Sequence, residues 1–326
     1  MNFGTFLSLS GNTLITEAVT RTVNGIAVFV QDGPNWEEQT RLAVPDLEPD
    51  SKIVSLSISQ NTILVVFKST RYPDFLGSAY IFERDPNTLQ WSPPVQINPP
   101  SQKINFGSAS AMDGDTIVIN SLQSRCLVYQ RNPQTGIWTY RTKLQFDFKD
   151  DGFEHVRPIS VDSNTIIIGV PSARGSFWVS SGAAYVFQRQ PRTGKWRQQA
   201  KLTPRGALIG GLFLDYINPY QFGAHVFVQD DKILVGACTL LFKDGSSFFS
   251  SKETAAYFYQ RDGKSKQWHQ KAKIPGNFEG MGCSGLGIVA DNLLISHPYE
   301  RNPDNTERAI YLFDLKKYLT DEKRSN

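Results

Sequence analysis

The chain has 326 residues, of which 40% are hydrophobic, 20% charged and 12% aromatic, a balance that excludes a disordered or low-complexity protein. Thirty-four Lys and Arg against 31 Asp and Glu leave a net charge of +3 with the signs interspersed, so neither a nucleic-acid stripe nor a polybasic membrane patch stands out. Cys126, Cys238 and Cys283 are far apart and lie in or beside apolar runs, which reads as buried thiols rather than a disulfide framework or a metal site. No apolar run is long enough to span a bilayer, no Sec-type leader precedes the first strand, and no Asn-x-Ser/Thr sequon occurs.

In chain order, each unit opens with a hairpin in which an alternating strand meets a two- or three-residue polar turn and then a nearly continuous apolar run. These are FLSLSGNTLIT, LSISQNTILVV, SAMDGDTIVIN, ISVDSNTIIIG, VFVQDDKILVG and GIVADNLLIS. The pattern predicts a half-buried first strand and a fully buried second one. A third strand follows, ending in an aromatic at Phe29, Phe82, Tyr129, Phe187, Tyr259 and Phe313. A tryptophan comes next at Trp36, Trp91, Trp138, Trp196 and Trp268, and then an apolar residue at Leu42, Ile97, Leu144, Leu202 and Ile274. The connecting turns DPNTLQW, NPQTGIW and QPRTGKW carry the Pro, Asn and Gly that a tight hairpin requires.

Six such units without helical periodicity predict an all-β fold, a β-propeller of four-stranded antiparallel blades, with six blades counted. The expected domain is a single propeller over 1–315, with repeats at about 1–46, 47–100, 101–147, 148–205, 206–276 and 277–315 and a tail at 316–326. The sixth unit ends after its third strand, at Asp314.

Phe3-Gly4, Phe106-Gly107 and Phe222-Gly223 share one repeat position, and Ile168-Gly169-Val170-Pro171 and Val235-Gly236-Ala237-Cys238 share another. On these residues the unit resembles the FG-GAP repeat of integrin α-subunit propellers and their bacterial relatives, over residues 3 to about 315. The resemblance implies a propeller, a binding role and an exported or cell-surface setting. Integrin-type repeats build seven blades, which makes seven the alternative to the six counted here. They also hold Ca²⁺ in an Asp-rich loop between first and second strands, where this chain has only tight turns such as Asp113-Gly114-Asp115 and Asp230-Asp231. Such turns cannot supply the oxygens calcium needs. No metal and no cofactor is expected.

Other motifs are weaker. Asp147, Asp150, Asp151 and Glu154 read as a solvated acidic turn, since Lys149 interrupts any ligand spacing. Gly280, Gly282 and Gly285 match a dinucleotide spacing but lack the βαβ context that gives it meaning. His155, His225, His269 and His297 occur singly, with His155 and His225 on first strands facing the propeller axis.

The departures from the repeat are more informative. They fall in the loops between second and third strands and between successive units, which open on one face. Segments 68–76, 171–181, 203–221, 239–253 and 297–308 place Arg71, Tyr72, Phe75, Arg174, Phe177, Trp178, Tyr216, Tyr220, Phe242, Phe248, Phe249, Tyr299 and Arg301 there. Aromatic and Arg side chains offer contact area with a polar handle, as interface hot spots and sugar-stacking platforms do. The expectation is a monomeric binding module for a protein or glycan ligand, not an enzyme, with no nucleic acid and no membrane insertion. Two alternatives stand beside it. One is a carbohydrate-active hydrolase using Asp74, Asp244, Glu253, Glu300 and Asp304 on the same face; the other is a purely structural scaffold.

Overall fold

Short runs of Val, Ile, Leu, Phe and Tyr punctuated by turn residues give strands and nothing else, and no helix occurs among the described residues. The computed structural model describes residues 2–19, 24–45, 47, 50–69, 77–101, 104–121, 126–146, 157–173, 182–204, 222–238, 241–242, 249–250, 254–276, 285–289, 292–302 and 305–314. The chain divides into two units, residues 1–144 and 145–326; among the described residues the first holds three sheets and the second three larger sheets and a two-stranded ribbon.

In the first unit each sheet is an antiparallel meander in sequence order. Sheet one contains β1 (Asn2–Ser10), β2 (Thr13–Val19), β3 (Asn24–Asp32) and β4 (Asn35–Ala43). Sheet two contains β5 (Ser51–Ser59), β6 (Thr62–Ser69), β7 (Gly77–Glu83) and β8 (Val95–Ile97), and sheet three β9 (Phe106–Asp113), β10 (Thr116–Ser121), β11 (Cys126–Arg131) and β12 (Trp138–Leu144). In the second unit, sheet four contains β13 (Arg157–Asp162), β14 (Thr165–Val170), β15 (Ala183–Arg189) and β16 (Trp196–Leu202). Sheet five joins β17 (His225–Gln229) and β18 (Lys232–Cys238) to β21 (Thr254–Arg261) and β22 (Trp268–Gly276), with the ribbon β19 (Leu241–Phe242) and β20 (Phe249–Ser250) inserted between. Among the described residues sheet six has three strands, β23 (Gly285–Val289), β24 (Asn292–Asn302) and β25 (Asn305–Asp314). The six sheets are the blades of a β-propeller, the class the repeat predicts.

The burial pattern follows the sequence pattern. Strands β10 and β14 are buried along their whole length, so both faces of the second strand are packed. A register shift recurs at one place in four blades, at Val28/Phe29, Val128/Tyr129, Val186/Phe187 and Phe258/Tyr259. Such a bulge sharpens the twist of the outer hairpin.

Neighbouring blades lock through repeated contacts. Phe106 is fully buried in a cluster with Leu64, Val66, Ala79 and Ile81 of the preceding sheet, and Phe222 likewise with Ala184, Val186 and Leu202. Burying one such ring contributes about 1.5–3 kcal/mol. Here the Phe-Gly position has a structural reason. A Cβ on Gly77 would lie 2.3 Å from the Phe106 carbonyl oxygen, and one on Gly182 2.1 Å from that of Phe222, so only glycine lets the blades close up.

First strands add a polar stitch. The Ile58 N–H donates to Ser8 Oγ (3.1 Å), Gln60 N–H to Ser10 Oγ (2.8 Å) and Gly114 N–H to Ser59 Oγ (2.9 Å). In the second unit Val228 N–H donates to Ser160 Oγ (3.1 Å) and Asp230 N–H to Asp162 Oδ2. Alternate side-chain oxygens of one first strand thus satisfy amides of the next, which edge strands would otherwise leave unpaired.

The repeat tryptophans are rim residues rather than core. Trp91 Nε1 donates to Gln39 (3.2 Å), Trp138 Nε1 to Glu83 (3.3 Å) and Trp268 Nε1 to Gln199 (3.0 Å), each partner lying in the preceding blade.

Candidate functional site

An antiparallel meander brings the start of the first strand, the end of the second, the start of the third and the end of the fourth to one end of each sheet. That is the end from which the long loops leave. Of the predicted ligand-binding residues, Arg71, Tyr72, Phe75, Arg174, Phe177, Trp178, Tyr216, Tyr220 and Phe248 lie outside the described residues. Two of the other four lie in a ribbon within the connection between β18 and β21, and two on β24. Phe242 pairs with Phe249 in the ribbon β19–β20, and Tyr299 and Arg301 lie on β24, where Arg301 pairs with Thr306. The polar run 297–308, read as a loop, is largely a hairpin that prolongs β24 and β25, because ladder hydrogen bonds hold polar residues in strand as readily as apolar ones. Of the candidate carboxylates, Glu300 stands opposite Glu307 on that hairpin; Asp74, Asp244, Glu253 and Asp304 lie outside the described residues.

The described residues at this end of the sheets are unusually polar for their burial. Glu17, near the end of β2, is 7% exposed, and Asn120 and Ser121, closing β10, are buried as well. Asn120 Oδ1 accepts the Ala109 N–H at 2.8 Å. The hydroxyls of Ser121 and of Ser172, just past β14, are buried and have no hydrogen-bond partner among the described residues.

His225 opens β17 at the same end of sheet five, half-buried and paired with Gly236. Burial lowers its pKa from 6.5 to about 4, so the imidazole is neutral at pH 7 and a weaker base than an exposed histidine. Cys126 is a buried thiol whose burial pushes its pKa up, which removes it from nucleophilic chemistry. Among the described residues no group of three or more His, Cys, Asp or Glu could hold a metal ion. The sequence reading set the histidines aside and passed over Glu17, Ser121 and Ser172. The available signal was a polar residue at the loop end of an apolar strand.

No family model matches the chain, and no curated protein matches it in sequence. Solved structures do match in fold. A Bacteroides uniformis protein provisionally assigned as a 6-phosphogluconolactonase superposes with a TM-score of 0.56 at 12% identity, over 94% of this chain and 83% of that one. The periplasmic gluconolactonase of Pseudomonas aeruginosa superposes with a TM-score of 0.54 at 14% identity, over 95% of this chain and 85% of that one. At such identities the likeness establishes the propeller fold. It also corrects one expectation. The absence of a recognisable catalytic motif was read as the absence of an enzyme, yet propellers similar to this chain bear lactonase names.

Proposed function

We propose that the protein is a propeller hydrolase that opens a sugar-derived lactone, the carbohydrate-active alternative rather than the plain binding module. The observation that carries this reading is the likeness, along nearly the whole chain, to two propellers named for lactonase activity. It is supported by the buried polar residues at the loop end of their own sheets. Ring opening adds water to the lactone carbonyl carbon and breaks the bond to the ring oxygen. The leaving alkoxide takes a proton, and the resulting acid releases one. The reaction needs a base for the water and a donor for the developing oxyanion. The carboxylates Asp74, Asp244, Glu253, Glu300 and Asp304 are the candidates for the first. Arg71, Arg174 and Arg301 are the candidates for holding an acidic substrate group, for which a guanidinium fork is suited. Tyr72 in the first unit, and Trp178 and Phe249 in the second, are each candidates for aromatic contact with a sugar ring.

A kinship with FG-GAP repeats belongs to the same proposal. It is supported by the shared role of Phe106 and Phe222, whose carbonyls press on Gly77 and Gly182.

Proton release from glucono-δ-lactone and from 6-phosphogluconolactone, followed in a pH-stat against the uncatalysed rate, tests the activity. Acceleration of either supports the proposal, and acceleration of neither removes it.

A further inference from the structure

Charges interspersed along the sequence are segregated by the fold. The outer hairpins 190–203 of sheet four and 261–274 of sheet five hold nine Lys and Arg against one acid, Asp262. Their surplus of +8, against +3 for the whole chain, leaves −5 for the remainder. The hairpins lie side by side in one unit: Gln199 Nε2 donates to the Lys266 carbonyl (2.7 Å), and Gln199 accepts the Trp268 indole N–H (3.0 Å). Arg192, Lys195, Arg197, Lys201, Lys264 and Lys266 are exposed along this rim. Asp262 does little to offset them, being turned into its own hairpin, where it accepts the amides of Lys264 and Ser265.

Lysine on an outer strand also prevents edge-to-edge pairing. That task is met by either sign, and the outer strand of sheet one uses Glu37 and Glu38 for it. A single-sign belt on two adjacent blades is more than edge protection requires.

We infer that this rim docks the protein electrostatically on an anionic phospholipid bilayer, without insertion. Six of the nine cations are lysines, compact point charges suited to a diffuse anionic surface, and one of the three arginines, Arg261, is stacked over Trp268. No large hydrophobic side chain is exposed among the described residues of the two hairpins, so nothing inserts into the acyl region. The same residues offer no exposed aromatic ring for a nucleic-acid base to stack on, Trp196 and Trp268 being half-buried.

The test is co-sedimentation with vesicles of phosphatidylcholine alone and with one-quarter phosphatidylglycerol, at low and high salt. The full chain is expected to bind only the anionic vesicles and to be released by salt. The combined variant Arg192→Glu, Lys195→Glu, Arg197→Glu and Lys264→Glu should lose about a hundredfold or more in affinity. A second variant with Lys52, Lys68, Arg141 and Lys143 all changed to Glu alters net charge equally but lies in the other unit, and should bind nearly as the wild type. Absence of wild-type binding, equal loss in both variants, or tighter binding of poly(U) RNA than of anionic vesicles would each overturn the inference. If the rim variant does not fold, the corresponding Gln substitutions replace it, and the wild-type comparison of the two vesicle types stands regardless.

Discussion

Leu89 and Lys266 stand in the left-handed region, at φ of +60° and +59°, in the same place of the outer turn where Gly136 and Gly194 stand at +70° and +66°. The four turns share the backbone bond from this residue to the carbonyl four positions earlier, and three of them add a side-chain cap. Asp85, Asn132 and Asp262 accept two following amides, and a further amide donates back to the carbonyl of the same residue or its equivalent. A side chain at that φ is strained, and Leu89 is half exposed, so it has little packing to lose. Leu89→Gly should therefore raise stability by up to about 1 kcal/mol, and Gly194→Ala should lower it by about as much. Thermal unfolding of the two variants checks both signs. His225 gives a residue-scale prediction with a pH window. Its folded-state pKa, about 4, lies below the unfolded value of 6.5, so the unfolded chain binds the extra proton between them. The stability associated with neutral His225 is complete above pH 6.5 and declines as the pH falls to about 4, by about 1–3 kcal/mol. Denaturant titrations at pH 7, 5.5 and 4.5 should show this slope, and His225→Gln should flatten it.

At the scale of elements, the first strands carry the sharpest contrast. Leu56 and Ile58 on β5 are 8% and 6% exposed, packed in one cluster with Ile15, Ile26 and Val28 of sheet one, while Leu7 and Leu9 at the same repeat positions of β1 are 63% and 55% exposed. Changing Leu56 and Ile58 to Ser should cost at least about 3 kcal/mol, whereas changing Leu7 and Leu9 to Ser should cost less than about 1 kcal/mol. Equal losses in the two pairs, measured by urea unfolding, would show that β1 is covered. These elements were legible in the sequence because the period-2 alternation, the tight turns and the closing Leu or Ile are local signals, and the structure places each where the pattern puts it. Phe106 and Phe222 were visible as a repeat position, but their partners Gly77 and Gly182 were not, since contact between blades joins residues far apart in sequence. The hairpin at 297–308 was misread because its strands are held by the backbone ladder and not by apolar alternation. The basic rim escaped for a related reason: cations spaced along two outer strands become neighbours only once the register is known.

For the whole molecule, the repeat determines architecture and leaves chemistry to what departs from it. The sequence led to the loop end of the blades, and the buried Glu17, Ser121 and Ser172, with His225, add polar groups at the same end of their own sheets. What it did not reveal was the kind of chemistry, because a fold does not by itself specify a function. The most direct measurement is the initial rate of lactone ring opening for the wild-type chain beside the combined variant Tyr72→Ser, Trp178→Ser and Phe249→Ser. A wild-type rate linear in protein concentration, lost in a variant with an unchanged melting temperature, is the expected result. A wild-type rate no faster than spontaneous hydrolysis, with either lactone, would contradict it.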